Sequence, residues 1–132
     1  MGAHLRCITV VVDDYDTAIR FYLDALGFEL IEDEPGGTTR DGRPRRFVVV
    51  RPVGAESGLL LALADGDAQA ARIGDQTGGR VGFFLQVDDF DATYARMKAA
   101  GVEFRGEPRS EPYGKVVVFV DVAGNLWDLL GI

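Results

Sequence analysis

The sequence predicts an α+β fold built from two tandem βαβββ modules, because one strand-helix segment occurs twice in the chain. Residues 7–28 form the first copy, and the second copy begins at Gly82. In both copies an apolar strand leads into the motif Val-Asp-Asp-aromatic-Asp, at residues 12–16 and 87–91, and an amphipathic helix follows. We therefore expect two copies of one structural unit in this chain of 132 residues.

Each predicted helix carries its core residues at positions i, i+3, i+4 and i+7, the spacing of a buried helical stripe. The second copy has one residue fewer between the motif and the glycine that ends the helix, which is Gly27 in the first copy and Gly101 in the second. The corresponding core positions of the two helices are Tyr15, Ala18, Ile19 and Tyr22, and Phe90, Thr93, Tyr94 and Met97.

The first module, residues 5–65, is predicted to place its helix between the first two of four strands. Asp14 is the expected N-cap, because its carboxylate can accept a hydrogen bond from a free N–H group of the first turn. Residues 34–44 are rich in Gly and Pro and are expected to form a mobile loop. The predicted strands are 6–12, 28–33, 47–51 and 59–64.

A linker rich in Gly, Asp, Gln and Ala, residues 66–80, leads to the second module, residues 81–131. This module is predicted to repeat the order of the first, with a helix that starts at Asp89. The expected loop is 106–114, the expected turn is 123–125, and the predicted strands are 82–87, 102–105, 115–121 and 126–130. Neither module is large enough to bury a core alone, so we expect one domain over residues 1–132.

The helix covers only one side of each sheet, so we expect two curved sheets that face one another around a cleft. Strand alternation places Cys7 and Thr9 of the first module on one face of their strand, and we expect that face to line this cleft. Gly82, Phe84 and Gln86 are the corresponding residues of the second module, and the absent side chain of Gly82 is expected to enlarge the cavity. Hydroxyl, aromatic and amide groups together suit a drug-sized organic ligand.

Two loops carry further candidates. Tyr113 stands between Pro112 and Gly114, in a segment expected either to close over a pocket or to serve only as a turn. Four arginines cluster in and just after the first module's loop, and a solvated loop and an anion-binding lid are both open for them: Arg40, Arg43, Arg45 and Arg46.

The composition excludes several classes of partner. A formal charge of −7 argues against nucleic acid and anionic lipid, and it favours a cationic ligand at long range. The sequence has no run of 18 apolar residues and no secretory signal at its start. A single cysteine cannot form an internal disulfide, which fits a reducing cytoplasm.

The segments VDDYDTAIRFYLDALGFEL and VDDFDATYARMKAAGVEF, with the ending FVDVAGNLWDLL, resemble the vicinal oxygen chelate superfamily. This superfamily includes glyoxalase I, extradiol dioxygenases, and bleomycin and fosfomycin resistance proteins. The resemblance covers nearly the whole chain and implies the glyoxalase/bleomycin resistance fold. It implies less about activity, because the fold supports several chemistries as well as pure binding.

In metal-using members each module supplies two ligands, one in its first strand and one in its last. The resemblance places these ligands at Cys7, Ala62, Gly82 and Asp128. A catalytic metal site needs about three protein ligands, whereas Cys7 and Asp128 offer at most two, and the only histidine, His4, is expected on the other face of its strand. We therefore expect no cofactor and no divalent metal.

Asp128 interrupts an apolar strand and shares a face with Leu126 and Leu130, whereas Trp127 and Leu129 share the other face. A ligand contact and a hydrogen-bonded structural role are both open for its carboxylate. Asp128 is also the best candidate catalytic residue, as a general base.

These expectations combine into a metal-free, homodimeric, small-molecule-binding protein with a role in drug binding or resistance. Its ligand is expected to be a cationic or aromatic organic molecule. The alternative is a metal-dependent lyase, isomerase or dioxygenase, a glyoxalase-like enzyme with a rearranged site.

Overall fold

The computed structural model describes residues 2–132, which divide into two compact units. The first unit ends at Ile73 and the second spans Gly74–Ile132. Each unit contains one four-stranded mixed sheet and one principal helix, which confirms the predicted α+β class and the tandem repeat. No helix within residues 2–132 has the length and apolar character needed to cross a membrane.

The first sheet has the strand order β1-β4-β3-β2, in which β1 and β4 are parallel and the other neighbours are antiparallel. The elements of this unit are β1 (Cys7–Val12), α1 (Tyr15–Arg20), a π-helical turn (Phe21–Ala25), β2 (Glu29–Thr38), β3 (Pro44–Arg51), β4 (Gly58–Leu63) and α2 (Asp67–Ala70).

The helical segment formed by α1 and the π-helical turn begins and ends where the sequence predicts. The Asp14 carboxylate accepts a hydrogen bond from the Thr17 N–H at 2.8 Å, and Gly27 closes the helical segment at a φ of 73°. The segment turns from α to π geometry at Phe21–Ala25. A π turn accommodates one additional residue in a helix, which explains why the first copy of the repeat is one residue longer than the second.

The core of the first unit lies between α1 and the sheet. Tyr15, Ala18 and Tyr22 are at most 6% exposed, as the helical stripe predicts, and they cover strand residues such as Val10 and Leu61, which are fully buried. The Tyr15 hydroxyl accepts hydrogen bonds from the backbone N–H groups of β3 at 3.1 Å and of β4 at 3.3 Å. This side chain therefore fixes the helix to two strands.

The second sheet repeats this topology in the order β5-β8-β7-β6. The Asp89 carboxylate caps the helix by accepting the Ala92 N–H at 3.1 Å, and Phe90 and Met97 are buried as predicted. The elements of this unit are β5 (Val81–Val87), α3 (Phe90–Ala99), β6 (Glu103–Glu111), β7 (Gly114–Val120) and β8 (Leu126–Gly131).

Both predicted loops proved wrong. Strand β2 continues to Thr38, which pairs with Pro44, so residues 34–44 form a long hairpin with a tight turn. Strand β6 likewise continues to Glu111. Pro and Gly fit these strands because β2 and β6 are edge strands whose registers shift at bulges, where a missing N–H and an unusual φ are tolerated.

The turn predicted at 123–125 is confirmed, and Asp121 organises it. One oxygen of its carboxylate, which is 5% exposed, accepts the N–H groups of all three turn residues at 2.9–3.0 Å. The other oxygen accepts the indole N–H of Trp127 at 2.9 Å. A buried charge with this many donors is well compensated, so Asp121 holds β7 and β8 in register.

Candidate functional site

The second sheet has two chemically different faces. The face toward α3 carries an aromatic series in which Tyr94 of the helix contacts Phe104, Phe104 contacts Phe119, and Phe119 stacks on Trp127. We call the opposite face the distal face. By strand register it carries Phe84 and Gln86 of β5, Val116 and Val118 of β7, Asp128 and Leu130 of β8, and Arg105 and Arg109 of β6.

Phe84 is the principal apolar group of the distal face. It lies in the middle of β5, yet its side chain is 63% exposed, whereas its neighbour Leu85 on the other face is 9% exposed. Gln86, two residues on, is also exposed. A large exposed aromatic ring within a strand is a ready platform for stacking an apolar ligand.

Asp128 lies beside Phe84, since the two residues are register partners in the parallel pair β5 and β8. Burial raises the pKa of this carboxyl above its ordinary value, and the positive charge of Arg109 opposes that rise. Trp127 and Leu129, on either side in the sequence, are at most 4% exposed on the face toward α3. The predicted division of β8 into two faces is therefore confirmed.

Tyr113 lies in the turn between β6 and β7 and is 62% exposed. Its hydroxyl interacts with the guanidinium of Arg109, which also donates a hydrogen bond from Nε to Glu111 at 2.9 Å. The turn is short, because Glu111 and Gly114 are register partners. Tyr113 is thus at the end of the distal face, and the long loop expected around it is absent from the described part of this unit.

Gly82 does not enlarge a cavity, contrary to expectation. A Cβ atom placed on Gly82 would lie 2.6 Å from Cγ2 of Thr77, so the threonine side chain fills the space that the missing side chain leaves. Thr77 is held there by a hydrogen bond from its hydroxyl to the Arg80 carbonyl at 2.7 Å. The register between β5 and β8 also shifts between Val81 and Phe83, which places Gly82 at an irregularity.

In the first unit, Cys7 is half-buried and Thr9 is exposed. Both share the face of the first sheet that is opposite to Val10, which is fully buried beneath α1. Thr9 pairs with Leu60 in β4, as Phe84 pairs with Asp128 in β8. The residue that corresponds to Asp128 is therefore Leu60. The family's ligand position was expected at Ala62, two residues away, because the uniform sequence LLLALA gives no sign of which residue pairs with Thr9.

The residues at the family's four ligand positions do not fit a catalytic metal. With Leu60 in place of Ala62, the set is Cys7, Leu60, Gly82 and Asp128, which contains two donor side chains. A larger residue at Gly82 would also collide with Thr77. The only histidine, His4, is exposed and precedes β1, so it is not the strand residue that we expected.

Three of the four clustered arginines, Arg40, Arg43 and Arg46, pair with carboxylates of the same chain. Arg46 donates two hydrogen bonds to Asp33, at 3.0 and 2.6 Å, and one to Asp16 at 2.8 Å. Arg40 pairs with Asp65, and Arg43 with Asp41. Arg43 and Arg46 help to line a shallow cavity of about 290 Å³ at the start of α1. Their terminal nitrogens are already engaged, by the Ala64 carbonyl at 2.8 Å for Arg43 and by Asp16 and Asp33 for Arg46, which favours a structural role over an anion-binding lid.

Arg105 and Arg109 also lie on the distal face, although the sequence did not identify them as candidates. They are four residues apart. In a regular strand, residues at this spacing lie on the same face but are two rows apart, where a row is a line of paired residues that crosses the sheet. The bulge between them changes this spacing, because Arg105 pairs with Val118 and Arg109 with Val116, so the two arginines occupy adjacent rows of the distal face. Gly106 and Pro108 were the available signal, which we interpreted as a loop.

Comparisons with known proteins agree with the architecture. The sequence model described as Glyoxalase/Bleomycin resistance protein/Dioxygenase superfamily matches residues 4–129. A protein of Shewanella frigidimarina is 48% identical over 124 residues, which are 93% of this chain and 89% of the relative.

Two solved structures are similar over almost their whole length. UcmS2 has a TM-score of 0.81 and 33% identity, with 98% of each chain covered. TnmS3, an antibiotic binding protein from Streptomyces sp. CB03234, has a TM-score of 0.75 and 32% identity, with 99% of this chain and 98% of that chain covered. The chain therefore belongs to the glyoxalase/bleomycin resistance protein/dioxygenase superfamily.

Proposed function

We propose that this protein binds a small organic molecule with an aromatic ring on the distal face of its second sheet. The observation that carries the proposal is the exposed ring of Phe84 beside the half-buried carboxyl of Asp128. An apolar surface with a few fixed polar groups is the usual composition of a small-molecule site. Gln86 and Tyr113 supply further hydrogen-bonding groups at the edges of the same face.

The similarity to TnmS3 supports a drug-binding role, because that antibiotic-binding protein shares about a third of its residues with this chain. We infer that the ligand belongs to the same broad class of drug-like molecules, and that binding sequesters the drug. Of the two ligand characters predicted from sequence, Phe84 favours the aromatic one.

We also propose that binding does not use the family's metal centre, because the residues at its ligand positions supply only two donors. Cys7 and Thr9 are proposed as ligand-contacting residues of the first unit. A cytoplasmic homodimer is the proposed working form, and sedimentation equilibrium of the purified protein at micromolar concentration tests the oligomeric part.

The proposal is tested by titrating ¹⁵N-labelled protein with 2-naphthalenesulfonamide, a neutral aromatic probe, and following the amide resonances by NMR. We expect saturable shifts at Phe84, Gln86 and Asp128, since ring currents act on the nearest amides. Absence of saturable shifts up to about 1 mM, the limit of weak specific binding, contradicts the proposal. Shifts confined to the face toward α3 contradict it equally.

The raised pKa of Asp128 favours a second candidate, an enzyme in which this carboxylate is a general base. This function predicts that the protein converts its ligand and that Asp128→Asn abolishes conversion while binding is retained. Chromatography of a compound after incubation with the wild type and the variant distinguishes the two functions. Unchanged compound in both samples favours simple binding.

A further inference from the structure

We propose that Arg105 and Arg109 form a guanidinium pair that selects ligands with an acidic oxygen group, such as a sulfonate, carboxylate or phenolate. This inference rests on the proposed function and adds the charge of the ligand to it. The two side chains lie in adjacent rows at the β6 edge of the distal face, on the side of the sheet that carries Asp128.

Each arginine is positioned by one carboxylate and still has donors to offer. Arg105 donates from Nε to Glu103 and Arg109 donates from Nε to Glu111, both at 2.9 Å. A guanidinium has five N–H donors, and within residues 2–132 no hydrogen bond engages the terminal nitrogens of Arg105. The two arginine side chains are 58% and 55% exposed.

The ion pairs with these glutamates do not prevent the arginines from binding a ligand. An exposed ion pair contributes about 0–1 kcal/mol, so the terminal nitrogens can turn toward a ligand while Nε stays on its glutamate. A planar guanidinium matches an oxyanion with two parallel hydrogen bonds. Two such groups in adjacent rows can share one three-oxygen or two-oxygen group.

Asp128 does not by itself require a cationic ligand. Its carboxyl would call for a cationic ligand if it had no countercharge, but Arg109 supplies a positive charge from the same chain. The net charge of −7 acts on ligands at long range, whereas the proposed selection depends on the two guanidinium groups on the distal face itself.

The sheet order also sets the ligand's size. Phe84 and Arg105 lie at opposite ends of one row that crosses β5, β8, β7 and β6. Three strand spacings of about 4.8 Å separate their backbones by roughly 14 Å, part of which the long arginine side chain spans. A ligand of two or three fused rings with a terminal acidic oxygen group can therefore stack on Phe84 and reach the pair.

The test compares three probes with the same ring: 2-naphthalenesulfonate, 2-naphthalenesulfonamide and 2-naphthylmethylammonium. Dissociation constants come from NMR titration at low ionic strength. We expect the sulfonate to bind at least tenfold tighter than the sulfonamide, and the ammonium to bind weakest. Replacing both arginines, in Arg105→Gln/Arg109→Gln, should bring the sulfonate to the level of the sulfonamide and leave the sulfonamide within twofold.

The control Arg96→Gln/Lys98→Gln removes the same charge from α3, away from the distal face. It should keep the sulfonate preference. Equal affinity of the three probes for the wild type, a preference that survives in the double arginine variant, or an equal loss in the control overturns the inference. If the sulfonamide binds and only the preference is missing, the proposed function stands, whereas failure of all three probes overturns both.

Discussion

Phe84→Ala should weaken the binding of an aromatic ligand without unfolding the protein. A phenylalanine presents roughly 150–250 Å², and Phe84 is 63% exposed, so roughly 100–150 Å² is available to a ligand. At about 25 cal/mol per Å² this area is worth at most about 2.5–4 kcal/mol. A flat ligand covers about half of it, so we expect a loss of about 1–2 kcal/mol, or about 5- to 30-fold in Kd.

The assay is NMR titration with 2-naphthalenesulfonamide, together with urea unfolding to measure stability. An exposed side chain contributes little to folding, so the free energy of unfolding should change by no more than about 0.5 kcal/mol. Val122→Ala, a 39% exposed position in the turn before β8, is the control and should leave Kd unchanged. A Kd for Phe84→Ala within twofold of the wild type would show that the ligand does not stack on Phe84.

Three further predictions concern stability, each measured by urea unfolding. Burial raises the pKa of Asp128 above 3.8, so its contribution to stability is present below pH 3.8 and is lost as the pH rises through the raised pKa. The wild type should therefore lose stability relative to Asp128→Asn between pH 3.8 and the raised pKa. A stability difference that does not change with pH contradicts this. Asp121→Ala leaves the indole N–H of Trp127 and three turn N–H groups without their acceptor and should cost about 3–4 kcal/mol, so a loss below about 1 kcal/mol counts against the proposed role of the turn. Gly82→Ala should cost about 1–3 kcal/mol by overpacking against Thr77, and Thr77→Ser should restore most of that loss in the double variant; simple additivity of the two changes excludes the collision as the cause.

The fold was predictable because its signals are local and occur twice. The N-caps at Asp14 and Asp89 and the glycines after both helices follow from backbone chemistry that acts within one turn. The π-helical turn at Phe21–Ala25 was not predicted, although the additional residue in the first copy was visible in the sequence.

The hairpins of the edge strands were not predictable by the same reasoning. Pro and Gly usually interrupt strands, but here they lie at bulges of edge strands, where no second neighbour requires their N–H groups. The composition of a segment does not indicate whether it forms an edge strand or a central strand. Arg105 and Arg109 were missed for this reason.

The candidate site was predictable where strand alternation alone decides it. Phe84, Gln86 and Asp128 share a face because the register between β5 and β8 is regular after Phe83. The prediction that Gly82 enlarges a cavity was wrong because Thr77, a residue outside the strand, occupies the space beside it. The spacing of residues within a strand does not reveal such a contact.

A crystal structure of the protein grown with 2-naphthalenesulfonate and a divalent metal salt would locate the ring, the acidic group and any metal ion in one experiment. We expect the naphthalene ring against Phe84, the sulfonate beside Arg105 and Arg109, and no metal ion held by three or more protein groups. A fully occupied metal ion with three or more protein ligands, or a ring bound away from the distal face, contradicts it.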